Sequence, residues 1–145
     1  MTSTQFRALL LFSVATGLAA ASIDALFPAL LPEALSAAWE KDPPFDPAPE
    51  HLWLWVAVLV PWLVASVAST IGMFFFRHWA RPLALIVAIL GLAESPLFGP
   101  ELSSGWSSAL LEASFLSWGA VLALSYFSPL SQRFARMPAR SSLAE

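Results

Sequence analysis

Residues 52–76 read LWLWVAVLVPWLVASVASTIGMFFF, 25 consecutive positions without a charged side chain. About 20 apolar residues in a helix cross the roughly 30 Å hydrocarbon core of a bilayer. This stretch is therefore long enough to span a membrane, and it decides the class of the protein. Downstream it meets the short basic segment Arg77-His78-Trp79-Ala80-Arg81, after which a second apolar run covers residues 82–98. Upstream lies an apolar run over residues 6–31, and beyond the third run comes a fourth over residues 106–130. No other run is long enough to cross. The pattern predicts an all-α integral membrane protein, a single membrane domain over residues 1–145 folded as an antiparallel four-transmembrane-helix bundle. The outer loop is residues 32–51 and a basic cytoplasmic tail is residues 131–145.

Composition agrees with that class. Of the 145 residues, 58% are hydrophobic and only 12% charged, about half the charge of an ordinary soluble domain. The net charge of -3 argues against a nucleic-acid partner, which calls for a basic surface. There is no cysteine, so disulfides, thiol redox chemistry, Fe–S clusters and cysteine-based zinc sites are excluded together.

The basic residues set the orientation. Arg7 precedes the first span, Arg77 and Arg81 separate the second from the third, and Arg133, Arg136 and Arg140 follow the fourth. With four spans all six fall on one side, which the positive-inside rule makes the cytoplasm. Only Lys41 falls opposite, among the acids Glu40, Asp42, Asp46, Glu50 and Glu101. The expected topology is N-in, C-in. Heavy use of Ala, Leu and Pro, with Arg in place of Lys, points to a bacterial cytoplasmic (inner) membrane. Arg7, the run 8–21 and the triplet Ala19-Ala20-Ala21 also resemble a secretory signal peptide. The apolar character continues through Ile23 to Leu31, which favours an uncut first span.

Tryptophans fall where aromatic belts require them. Trp53, Trp55 and Trp106 sit at outer ends and Trp79 at the inner turn. Trp62 and Trp118 lie about 15 Å along their helices, where an indole N–H needs an acceptor. Lipid supplies no hydrophobic drive for helix association, so close packing of small residues matters. Each span offers such a seam: Ser13, Gly17, Ala20 and Asp24; Pro61, Ala65, Ala68 and Gly72; Ala84, Ala88, Gly91 and Ser95; Ser114, Ser117, Val121, Ser125 and Ser128. Pro61 removes one backbone bond and is expected to kink its helix.

Ionisable residues inside a span are functional candidates by default. There are three, Asp24, Glu94 and Glu112, all placed in the outer half of the bilayer by their distance from Arg7, Arg81 and Trp106. Pro96 disfavours helix at Ser95, so the third span is expected to break beside Glu94 and leave free carbonyls, an arrangement that can bind cations. The sharp expectation is an outward acidic pocket of Glu94 and Glu112 with Asp24 at its rim, holding a proton, cation or amine. The competing expectation is that these carboxyls make structural or subunit contacts.

Other chemistry finds no support. His51 and His78 lie at opposite membrane faces, and there is no HExxH, glycine-rich phosphate loop or GxSxG. No catalytic residue, metal or cofactor is expected, and the partners are the lipid bilayer and a membrane protein or a second copy of the chain. The expected function is that of an accessory, assembly or regulatory subunit of a larger membrane complex, acting through lateral helix contacts. The alternative is a small oligomeric proton- or cation-coupled transporter or channel using the in-membrane carboxylates.

Overall fold

The computed structural model describes residues 2–31, 33, 37, 41, 52–94 and 103–135. Their regular structure is helical, with no strand among the described residues. Four α-helices with described bounds follow in order: α1 (Ser3–Leu26), α2 (Leu52–Phe74), α3 (Ala80–Glu94) and α4 (Gly105–Phe127), and Glu33, Ala37 and Lys41 are helical as well. Short 3₁₀ turns follow α1 at Pro28–Leu30 and α4 at Pro129–Phe134. Among the described residues three helices are long and apolar enough to cross a membrane, Ser3–Leu26, Trp55–Phe74 and Gly105–Phe127. The third predicted span is described as far as Glu94, where α3 has 15 residues, about 22 Å of helix.

Local chemistry moves the ends of the spans away from the limits that hydropathy alone sets. α1 begins at Ser3 rather than Phe6, because Thr2 and Gln5 form a capping box that satisfies the first free N–H groups. It stops at Leu26 and not Leu31, because Pro28 disfavours helical geometry at the residue before it. α4 starts after Ser104, whose hydroxyl accepts from the Ser107 N–H at 3.2 Å. It stops at Phe127 and not Leu130, since Pro129 plays the part of Pro28. α2 runs unbroken through Pro61, which is exposed.

The helices pack as two antiparallel pairs. α1 lies along α4, bringing Ser13 to Ser114, Ala20 to Ser107 and Asp24 to Ser104. The α1 contact face is Phe6, Leu10, Ser13, Thr16 and Ala20, a step of three or four residues that keeps one face inward. α2 and α3 form a hairpin in which Trp62 donates its indole N–H to the Val87 carbonyl at 3.3 Å. That contact supplies the acceptor the indole needs. Trp118 packs against the buried core. The α2 face is rotated from the expected seam: Ser69, Gly72 and Met73 are buried, whereas Ala65 and Ala68 are half-buried.

The pairs meet at the end that carries the α2–α3 turn. The buried core there joins Phe6 and Leu10 of α1, Met73 of α2, Ala80 and Ala84 of α3, Val121 of α4, and Leu130 and Phe134 beyond it. Residues 131–134, expected in a polar tail, fold back instead, and Phe134 is only 1% exposed. Rings of Phe6, Phe76 and Phe134 stand 5.1–6.1 Å apart between centroids, the range of favourable tilted and edge contacts. No buried side-chain polar atom among the described residues lacks a hydrogen bond. Many hydroxyls reach that state by bonding back to their own helix, as Ser66 does to Trp62 O and Ser117 to Ala113 O.

Candidate functional site

Asp24 and Glu112 do not share one environment. Asp24 stands near the end of α1, where its carboxylate accepts the Ser104 backbone N–H at 3.0 Å and the Ser104 hydroxyl. Ser104 is the N-cap of α4. A carboxylate at a helix N-terminus meets free N–H groups and the positive end of the helix dipole. Ser107 extends the contact by donating to the Ala20 carbonyl at 3.0 Å. Asp24 therefore fastens the start of α4 to the end of α1.

Glu112 lies five residues beyond Ser107, about 140° round the helix, and is exposed. It shares that outward face of α4 with Leu116, Gly119 and Ala123, all exposed. A Cβ placed at Gly119 would meet nothing within 4 Å. Eight residues separate Ser104 from Glu112, about 12 Å along the axis, so Asp24 and Glu112 are not brought together. Glu94 is the last residue of α3, and its side chain and Pro96 lie outside the described part of the chain. No group of three or more potential metal ligands forms among the described residues.

The arginines do more than mark orientation. Arg7 donates through Nε to the Phe74 carbonyl at 3.1 Å, and Arg81 through Nη1 to the Ser125 carbonyl at 3.1 Å. Both carbonyls belong to the last turns of α2 and α4, where free acceptors and the negative end of the dipole favour a cation. The same guanidiniums lie over aromatic faces. Arg7 is 4.9 Å from the Phe74 centroid and 5.5 Å from that of Phe76. Arg81 is 5.3 Å from Tyr126 and 5.1 Å from Phe134. Arg133 is 5.9 Å from Phe76. Arg77 is exposed, and Arg136 and Arg140 lie outside the described residues. The arginine spacing was legible in the sequence; the return of Phe134 that gathers them was not.

The turn between α2 and α3 holds this cluster in place. Arg77 N–H donates to Gly72 O at 2.8 Å and Phe76 N–H to Met73 O at 3.1 Å, the paired bonds of a Schellman motif. Its left-handed position is usually glycine, but here it is Phe76, with φ of 55°. A bulky residue there is strained by about 1 kcal/mol, and Phe76 keeps the conformation because its ring packs against Phe6 and Phe134.

Of the interface tryptophans, Trp53, Trp79 and Trp106 are exposed and Trp55 is half-buried. An open apolar groove of about 320 Å³ runs between α3 and α4, lined by Leu85, Leu122, Ala123, Tyr126 and Phe127. The chain matches no known family profile, no curated protein and no solved structure.

Proposed function

We propose that this chain is a four-span protein of a bacterial cytoplasmic membrane, N-in and C-in, and serves as an accessory, assembly or regulatory subunit of a larger membrane complex. The observation that carries this reading is the outward face of α4. It sets a carboxyl, Glu112, on the same face as Gly119 and Ala123, a surface that no other part of the described chain covers. A carboxyl facing hydrocarbon is costly and calls for a partner. Small residues farther along that face permit a second helix to approach closely. Asp24, spent on the α4 cap, is not available to a transport path shared with Glu112.

The test is extraction of the tagged chain in mild detergent, with the mass and composition of the particle determined. A stoichiometric larger membrane protein is expected. Gly119→Leu should release it while leaving the helical circular dichroism unchanged, because the added side chain projects into open space. A lone monomer or homo-oligomer whose proton-linked flux in vesicles is abolished by Glu94→Gln or Glu112→Gln would replace this reading with the transporter.

A further inference from the structure

Three guanidiniums crowd one corner of the molecule, with no carboxylate of the described residues paired to them. Arg7 and Arg133 lie within 6 Å of the same ring, Phe76, and Arg81 lies over Phe134, whose centroid is 5.1 Å from that of Phe76. Each guanidinium carries five N–H donors. Arg7 and Arg81 each spend one on a helix carbonyl, and Arg133 makes its contact through the ring alone. Among the described residues no acid pairs with any of them; Asp24, Glu94 and Glu112 stand toward the opposite ends of their helices. Like charges gathered round one aromatic pair, with donors to spare, call for an anion. In the topology proposed above, on which this inference rests, the corner is at the membrane surface, where the available anion of matching chemistry is a phosphodiester.

A second observation points the same way. The Tyr126 ring that lies beneath Arg81 is also a wall of the apolar groove between α3 and α4. The groove runs on past Leu85, Leu122, Ala123 and Phe127, which are aliphatic or aromatic and offer an acyl chain a surface. A phosphate-binding corner and an apolar groove thus share one residue.

We propose that this corner is a binding site for one anionic phospholipid, its phosphate held by Arg81 and flanked by Arg133 and Arg7, with one acyl chain along the groove. Basic pockets between helices at the cytoplasmic side are suited to such headgroups. Ala123 lines this groove and also lies on the outward face of α4, so lipid and partner adjoin at that residue.

The test is native mass spectrometry of the full chain in mild detergent, titrated with phosphatidylglycerol or with phosphatidylcholine of the same acyl chains. One phosphatidylglycerol should bind saturably and more tightly than phosphatidylcholine. Arg133→Gln, at an exposed residue that holds no helix end, should weaken phosphatidylglycerol binding about fivefold. Ala123→Trp, which fills the exposed groove, should weaken it as well. Arg77→Gln removes the same charge from the same membrane face outside the aromatic cluster, and should leave binding within about twofold. The proposal fails if the two lipids bind alike, if Arg77→Gln weakens binding as much as Arg133→Gln, or if Ala123→Trp has no effect. It also fails if millimolar inorganic phosphate displaces the lipid, since a free anion would then be the ligand.

Discussion

α1 and α4 are joined along their length by hydroxyls and a carboxylate, whereas α2 and α3 touch through one indole N–H and a row of small residues. In the first pair Ser13 and Ser114 exchange bonds to each other's carbonyls at 3.0 and 2.9 Å, Ser107 reaches Ala20, and Asp24 receives Ser104. In the second pair Gly72 faces Ala80, and Gly91 faces the Trp62 ring. Chain connectivity accounts for the difference. α2 and α3 are tied by a turn of five residues, 75–79, which keeps them together at almost no entropic cost. α1 and α4 lie at opposite ends of the sequence and must find each other in a solvent as apolar as their own side chains. Directional polar contacts give that pair both its partner and its register.

The largest effect should come from the glycines at the two closest approaches. A Cβ on Gly72 would stand 2.6 Å from the Ala80 Cβ and 2.9 Å from the Trp79 ring. The Ala80 methyl cannot rotate away, so the turn itself must open. A Cβ on Gly17 would stand 3.0 Å from the Ser114 Oγ, a hydroxyl that can swing to its own helix. Gly72→Ala should therefore destabilise by about 3 kcal/mol, the upper part of the overpacking range, and Gly17→Ala by about 1. Steric trapping or detergent denaturation in bicelles would measure both. A reversed order would mean that the α1–α4 seam is the tighter of the two.

Next comes Phe76, at the turn that gives the α2–α3 pair its cheap connection. Phe76→Ala loses the ring but keeps the left-handed backbone penalty, whereas Phe76→Gly loses both. The glycine variant should be more stable than the alanine variant by about 1 kcal/mol. Equal stabilities would show that the turn relaxes out of the left-handed conformation once the ring is gone.

Much of this architecture was legible in the residues, and the unreadable part has a common cause. Hydropathy located the three long helices, and the spacing of Ser13, Gly17, Ala20 and Asp24 marked the α1 face that meets α4. The need of Trp62 for an acceptor pointed to a neighbouring helix. Periodicity states which face is turned inward but not what it meets. So the joining of Asp24 to Ser104, the capping of Phe74 and Ser125 carbonyls by Arg7 and Arg81, and the burial of Phe134 are all set by tertiary contacts that periodicity does not encode. The span ends were misplaced because an apolar residue after Pro28 or Pro129 counts toward hydropathy while the proline ends the helix. That Glu112 lies nearly opposite Ser114 round the helix was readable, and the bond of Ser114 to α1 turns Glu112 outward.

The smallest effect belongs to the exchanged bonds at the centre of the α1–α4 seam, and it sharpens what polar contacts contribute there. Ser13→Ala removes the donor to Ser114 O, and Ser114→Ala removes the donor to Ser13 O. Each hydroxyl bonds a backbone carbonyl, so neither substitution strands the other side chain. A single interhelical bond in a membrane contributes about 0.6 kcal/mol on average, because a freed hydroxyl finds another acceptor, as Ser22 does at Leu18 O. Each single variant should cost about that much and the double variant about 1 kcal/mol. A loss several times larger would make this exchange the main hold between the pair. No loss at all would assign the hold to close packing at Gly17, leaving the hydroxyls to select register alone.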